Sequence, residues 1–143
     1  MRTFLLTVHI VLAIFLVGPL VSVANQGPRA LRDGDAGALR LLARTVTVNG
    51  WGSIAVGVVG FGLVQRRYGN ELTDSWLIVS ILLFLVATLL VVALLAPTLR
   101  GAAARATGGG STASVAGRAA AVAGAASLCY LVIAILMVWQ PGS

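Results

Sequence analysis

Apolar residues in this chain gather into four long runs, and charged residues are almost confined to the stretches between them. The runs cover about 3–24, 45–65, 75–97 and 113–139. A bilayer core takes roughly 20 apolar residues per helix. Backbone groups left unpaired in lipid are costly, so a spanning run must close its hydrogen bonds within itself. Each run therefore predicts one membrane-spanning helix. The period-two alternation of a membrane barrel is missing. The expected fold is all-α, a four-helix transmembrane bundle formed as one domain over residues 1–143. Pro19 is expected to kink the first helix near its end, because its ring removes a backbone donor.

The stretches between the runs differ in character. "NQGPRALRDGDAGALRLLARTVTVNG" is too long for a tight turn. Pro28 can open a short helix there and Asp35 can cap another running towards the second span. In that second helix Arg40 and Arg44 are four apart and share a face, with Leu39, Leu42 and Ala43 turned to the bilayer. Residues 26–44 thus read as an amphipathic cytoplasmic loop lying on the inner surface. Arg29, Arg32, Arg40 and Arg44 are its membrane-surface residues, with an anionic-lipid or partner site as the alternative. Residues 98–112 are rich in Gly, Ala and Ser and predict a flexible tether. "RRYGNELTDS" is short and makes spans two and three an antiparallel hairpin. No internal repeat relates the halves.

Composition agrees: 59% of the 143 residues are hydrophobic and 10% charged, where a soluble domain carries about a quarter charged. The net charge is +6, and every basic residue is Arg. The arginines flank apolar spans, which favours topology and anionic headgroups over nucleic acid. Loops one and three hold seven arginines (Arg29, Arg32, Arg40, Arg44, Arg100, Arg105, Arg118) against three elsewhere. The expected orientation puts these loops in the cytoplasm and both termini outside. Trp51, Trp76 and Trp139 each fall near a span end, where indoles prefer to sit. Abundant Ala and Gly without Lys suggest a bacterial source, hence a multi-pass protein of the plasma membrane. Residues Ser22 to Ala24 also resemble a signal-peptidase site. Cleavage there would put both arginine-rich loops outside, so an uncleaved first helix is expected.

Candidate chemistry is sparse. No span interior holds Asp, Glu, Lys or Arg, which argues against an ion-coupled carrier. There is no carboxylate pair, no Ser-His-Asp set able to meet on one face and no zinc pattern. "DGDAG" (Asp33 to Gly37) lacks the later ligands of a calcium loop. "GVVGFG" (Gly57 to Gly62) follows no strand and is not a phosphate loop. Ser53 and Gly57, and likewise Ala116, Ala120 and Gly124, form small-xxx-small rows. Such rows let helices pack closely, within the bundle or between two copies. Cys129, the only cysteine, reads as a small packing residue.

His9, the only histidine, lies within the first apolar run. It has two readings: a neutral imidazole bonded to a neighbouring helix, or an axial ligand to haem. "HIVLAIFLVG", from His9 to Gly18, resembles the opening helix of a bacterial superfamily. That superfamily includes the copper-resistance D membrane domain, the HemJ type of protoporphyrinogen oxidase, and an uncharacterised set of predicted integral membrane proteins (domain of unknown function twenty-two sixty-nine). Phe15 and Leu16 stand where the family pattern has Trp. The loop "PRALRDGDAGALRLLAR" and the glycine-rich second span resemble the uncharacterised set. The resemblance implies a four-span plan and a haem-binding role for His9. It carries over no oxidase activity, because no lysine is present. A six-coordinate haem would need Met137 or His9 of a second copy.

The residues favour a structural or accessory bundle, as a homodimer or inside a larger membrane complex. A haem-binding redox or haem-metabolism protein is the alternative. A solute channel is weakest, since no polar pathway is visible.

Overall fold

The computed structural model describes residues 2–68 and 74–139, without the side chains of Arg2, Ala24 and 64–68. Four rods make up the described chain: α1 (Thr3–Asp33), α2 (Ala36–Tyr68), α3 (Ser75–Thr107) and α4 (Ala113–Trp139). All four are long and apolar enough to cross a membrane. The stretch expected to join α2 and α3 falls largely on residues 69–73, outside the described residues.

The rods are longer than the apolar runs. At about 1.5 Å per residue, the 33 residues of α2 and of α3 reach roughly 50 Å, against a hydrocarbon core of about 30 Å. The excess lies at the end bearing Arg29, Arg32, Arg40, Arg44, Arg100, Arg105 and Arg118. The expected inner-surface loop over 26–44 is therefore not a loop. α1 runs through Pro28 to Asp33, and α2 begins two residues after Gly34. "DGDAG" makes the corner. Gly34 adopts φ +67°, a left-handed conformation that glycine takes without a Cβ clash, and its N–H donates to Ala30 O at 3.0 Å. Asp35 then caps α2: its Oδ1 accepts from the N–H groups of Gly37 and Ala38 at 2.9 and 3.0 Å. Leu39, Leu42 and Ala43, expected against the bilayer, are buried in the bundle instead, because α1 and α3 continue alongside them. The expected tether over 98–112 likewise shortens. Helix α3 runs to Thr107, and residues 108–112 are held by Gly110 N–H on Arg105 O (2.9 Å) and the buried Thr112 hydroxyl on Leu31 O (2.6 Å).

Pro19 acts through the turn before it. Its missing N–H leaves Phe15 O without the usual partner, and its ring crowds that carbonyl. Residues Ala13–Val17 form a π-helical turn in which Gly18 N–H donates back to Ala13 O. Helix α3 does the same before Pro97: Leu90–Leu95 is π-helical, and Ala96 N–H donates to Val91 O. Both rods then continue as α-helix over Gly18–Asp33 and Ala96–Thr107.

The core is lopsided. Leu31, Leu39, Val46 and Leu99 are fully buried, and Leu20, Val91, Leu95, Ala102, Ala119 and Ala123 join the same cluster at and near the arginine end. At the other end large apolar residues such as Phe4, Ile14, Phe15, Leu82 and Val138 stay exposed. Water drives apolar burial, whereas lipid tails give helices no hydrophobic reason to associate. The large apolar side chains buried most completely, Leu31, Leu39, Val46 and Leu99, meet at the arginine end, while Trp76, Leu77 and Ile133 carry burial into the other half.

Candidate functional site at the contacts of the second helix

In the apolar half of the bundle, glycines of α2 let side chains of α1 and α3 come close to its backbone. Towards α1, a Cβ on Gly52 would lie 2.9 Å from Leu16 Cδ2, and one on Gly60 would lie 2.9 Å from His9 Cε1. Towards α3, a Cβ on Gly50 would lie 2.8 Å from Val92 Cγ2, and one on Gly57 would lie 2.9 Å from Phe84 Cε1. Side chains two turns apart on α1 and on α3 thus seat over glycines seven or eight residues apart on α2. "GVVGFG" carries parts of both rows, Gly57 for α3 and Gly60 for α1, while Gly62 meets nothing within 4 Å.

His9 sits in one of these seats. It is half-buried, and its Nδ1 donates to Val56 O at 3.2 Å. That carbonyl belongs to α2, so the imidazole ties α1 to α2 by a hydrogen bond as well as by contact with Gly60. Such interhelical bonds are worth about 0.6 kcal/mol on average in a membrane.

Three hydroxyls converge between α2, α3 and α4. Ser53 is fully buried and donates to Gly50 O at 2.7 Å. The Tyr130 hydroxyl lies beside those of Ser53 and Thr88. Thr88 Oγ1 and Tyr130 Oη make no hydrogen bond of good geometry among the described residues. Ser80 bonds back to its own helix, at Trp76 O (2.8 Å), whereas Thr88 does not.

Within a single bundle the row read on α4 is engaged only in part. Ala116 is buried, but Ala120 is half-buried and Gly124 is exposed, with nothing within 4 Å of a Cβ there. The buried stripe is Ala116, Ala119, Ala123, Ala126, Tyr130 and Ile133. Its alternating steps of three and four follow the seam of a left-handed bundle, where a strict four-residue row drifts off the contact. Arg29, Arg32, Arg40 and Arg44 are all exposed at the arginine end. Arg29 pairs with Asp33 at 3.8 Å, an exposed contact, whereas Arg40 and Arg44 line a groove against α3.

A haem held between α1 and α2 does not fit this arrangement. The imidazole edge already lies where a Cβ on Gly60 would touch it, which leaves no gap for a flat macrocycle. Met137 stands on α4, whereas His9 contacts α2. Among the described residues, no three of His, Cys, Asp and Glu come together as a metal site needs.

The sequence as a whole matches the family described as predicted integral membrane protein (DUF2269), over residues 3–141. The chain belongs to this family. It is an integral, multi-pass membrane protein whose apolar helices sit in a lipid bilayer. No curated protein and no solved structure matches it. Sequence reasoning had marked Ser53, Gly57 and His9 but had not connected His9 with Gly60. The only advance signal was the density of glycines in one apolar span.

Proposed function

We propose that this DUF2269 protein is a structural or accessory helix bundle of a bacterial plasma membrane, working as a homodimer or inside a larger membrane complex. The observation that carries this reading is the seat of His9: the one imidazole of the chain is engaged by the Val56 carbonyl and by Gly60. In this reading it is a packing residue. The protein purified in mild detergent from haem-replete cells is expected to give a featureless visible spectrum, both oxidised and dithionite-reduced. A Soret band that shifts on reduction and disappears in His9→Ala would overturn the reading.

In this reading the arginine end faces the cytoplasm, both termini face outward and α1 stays in the mature protein. The arginine distribution supports the orientation. Burial of Leu20, Val23 and Leu31 of α1 in the common core supports its retention. In a Cys129→Ser background, Ser111→Cys, at an exposed position of the turn between α3 and α4, is expected to resist a membrane-impermeant thiol reagent in intact cells and to react after lysis. Labelling of intact cells would reverse the orientation.

A further inference from the structure

The arginine end carries a groove between α2 and α3 of about 520 Å³, lined by Arg40, Arg44, Thr47 and Val48 from α2 and by Arg100 and Ala104 from α3. Two arginines bridge it in opposite directions. Arg100 reaches from α3 to the Thr47 hydroxyl of α2 at 2.6 Å, and Arg40 reaches from α2 to the Thr107 hydroxyl of α3 at 3.1 Å. Both partners are neutral. Arg44, between them along α2, has no hydrogen bond or ion pair among the described residues. The groove therefore concentrates three guanidiniums with no carboxylate on its walls.

Between the arginines the walls are apolar or hydroxylic, and they lead along α2 towards Val48 and Trp51. These two side chains are 59% and 61% exposed. An indole and an aliphatic residue left open one to two turns from a cluster of arginines mark the level where headgroups give way to acyl chains. Guanidiniums bind phosphate oxygens through paired N–H donors.

We propose that this groove is a binding site for an anionic phospholipid of the surrounding bilayer. The lipid phosphate is held by Arg44 with Arg40 and Arg100 on either side, and one acyl chain runs over Val48 towards Trp51. The lipid couples α2 to α3 at the end where the core is packed. A phospholipid is favoured over a free anion because the site joins a charged pole to an apolar trough open to the membrane.

The test uses full-length protein in mild detergent, titrated with phosphatidylglycerol or phosphatidylcholine and read by native mass spectrometry. Wild type is expected to retain phosphatidylglycerol in preference to phosphatidylcholine. Arg44→Gln, which removes no contact within the protein, is expected to weaken that retention about fivefold. Arg44→Gln with Arg100→Gln is expected to weaken it further. Arg29→Gln with Arg32→Gln removes the same charge outside the groove and is expected to leave retention unchanged. Equal losses in the two double variants would reduce the effect to net charge and overturn the site. Equal retention of the two lipids would also overturn it. Displacement of the lipid by millimolar inorganic phosphate would replace the lipid site with one for a free anion. Far-ultraviolet circular dichroism of each variant checks the fold, and Arg44→Gln alone decides the question if the double variant misfolds.

Discussion

Leu39→Ala lowers the stability of the protein by about 2–5 kcal/mol, whereas Leu82→Ala leaves it within about 0.5 kcal/mol. The two residues are chemically identical and both sit in long helices. Leu39 is fully buried between α2 and its neighbours at the arginine end, while Leu82 is 57% exposed on α3. Truncating Leu39 leaves a cavity in a region where water drives burial, and the surrounding helices relax only partly. Truncating Leu82 removes methyls whose neighbours are lipid tails, and tails move in to replace the lost contacts. Unfolding in mixed micelles by increasing dodecyl sulfate, followed by circular dichroism, measures both variants. Equal losses would show that the core is not concentrated at the arginine end.

The second large effect is a coupling between His9 and Gly60. Gly60→Ala puts a methyl 2.9 Å from His9 Cε1 and 3.3 Å from Nδ1. The ring must shift, and a shift away from α2 lengthens the 3.2 Å bond to Val56 O. Overpacking of this kind costs about 1–3 kcal/mol. His9→Ala alone loses the bond and some packing but leaves room at Gly60. The double variant is therefore expected to be more stable than the sum of the two single losses implies, by about 1–3 kcal/mol. The preference of a helix interior for alanine over glycine, about 1 kcal/mol, is present in both Gly60 variants and cancels from this coupling. The same unfolding assay on all four proteins closes the cycle. Strict additivity would mean that the ring turns away from α2 without penalty, and His9 would then lose its role as the link between the two helices.

The four spans were legible because apolar run length against bilayer thickness is a one-dimensional quantity. Their true ends were not. "RALRDGDAGALRLLAR" was read as surface structure because its apolar residues are spaced and its arginines frequent. That spacing is also the pattern of helices packing together in water, and Leu31 on α1 with Leu39 and Leu42 on α2 are the apolar positions that do so. Asp35 as a cap was legible from local chemistry, since an Asp before a helix start has few other roles. On α4 several small-residue rows coexist among so many alanines and glycines, and only the crossing of neighbouring helices selects the one through Ala119, Ala123 and Ala126. The seat of His9 was illegible for the same reason. Nothing in either segment says that residue 9 will meet residue 60 until the register of α1 on α2 is known.

The two π-helical turns, Ala13–Val17 and Leu90–Leu95, amount to one extra residue each in the winding of α1 and of α3. At about 100° per residue, each turn rotates the face of everything downstream by more than a quarter circle. The side of α1 that presents His9 and Leu16 to α2 is therefore out of phase with the side that presents Leu20, Val23 and Leu31 to the common core. α3 carries a matching offset between Phe84 and Leu99. Each rod addresses two sets of neighbours with two different faces, and the proline-linked turns are the phase shifters that let one continuous helix serve both ends of the bundle.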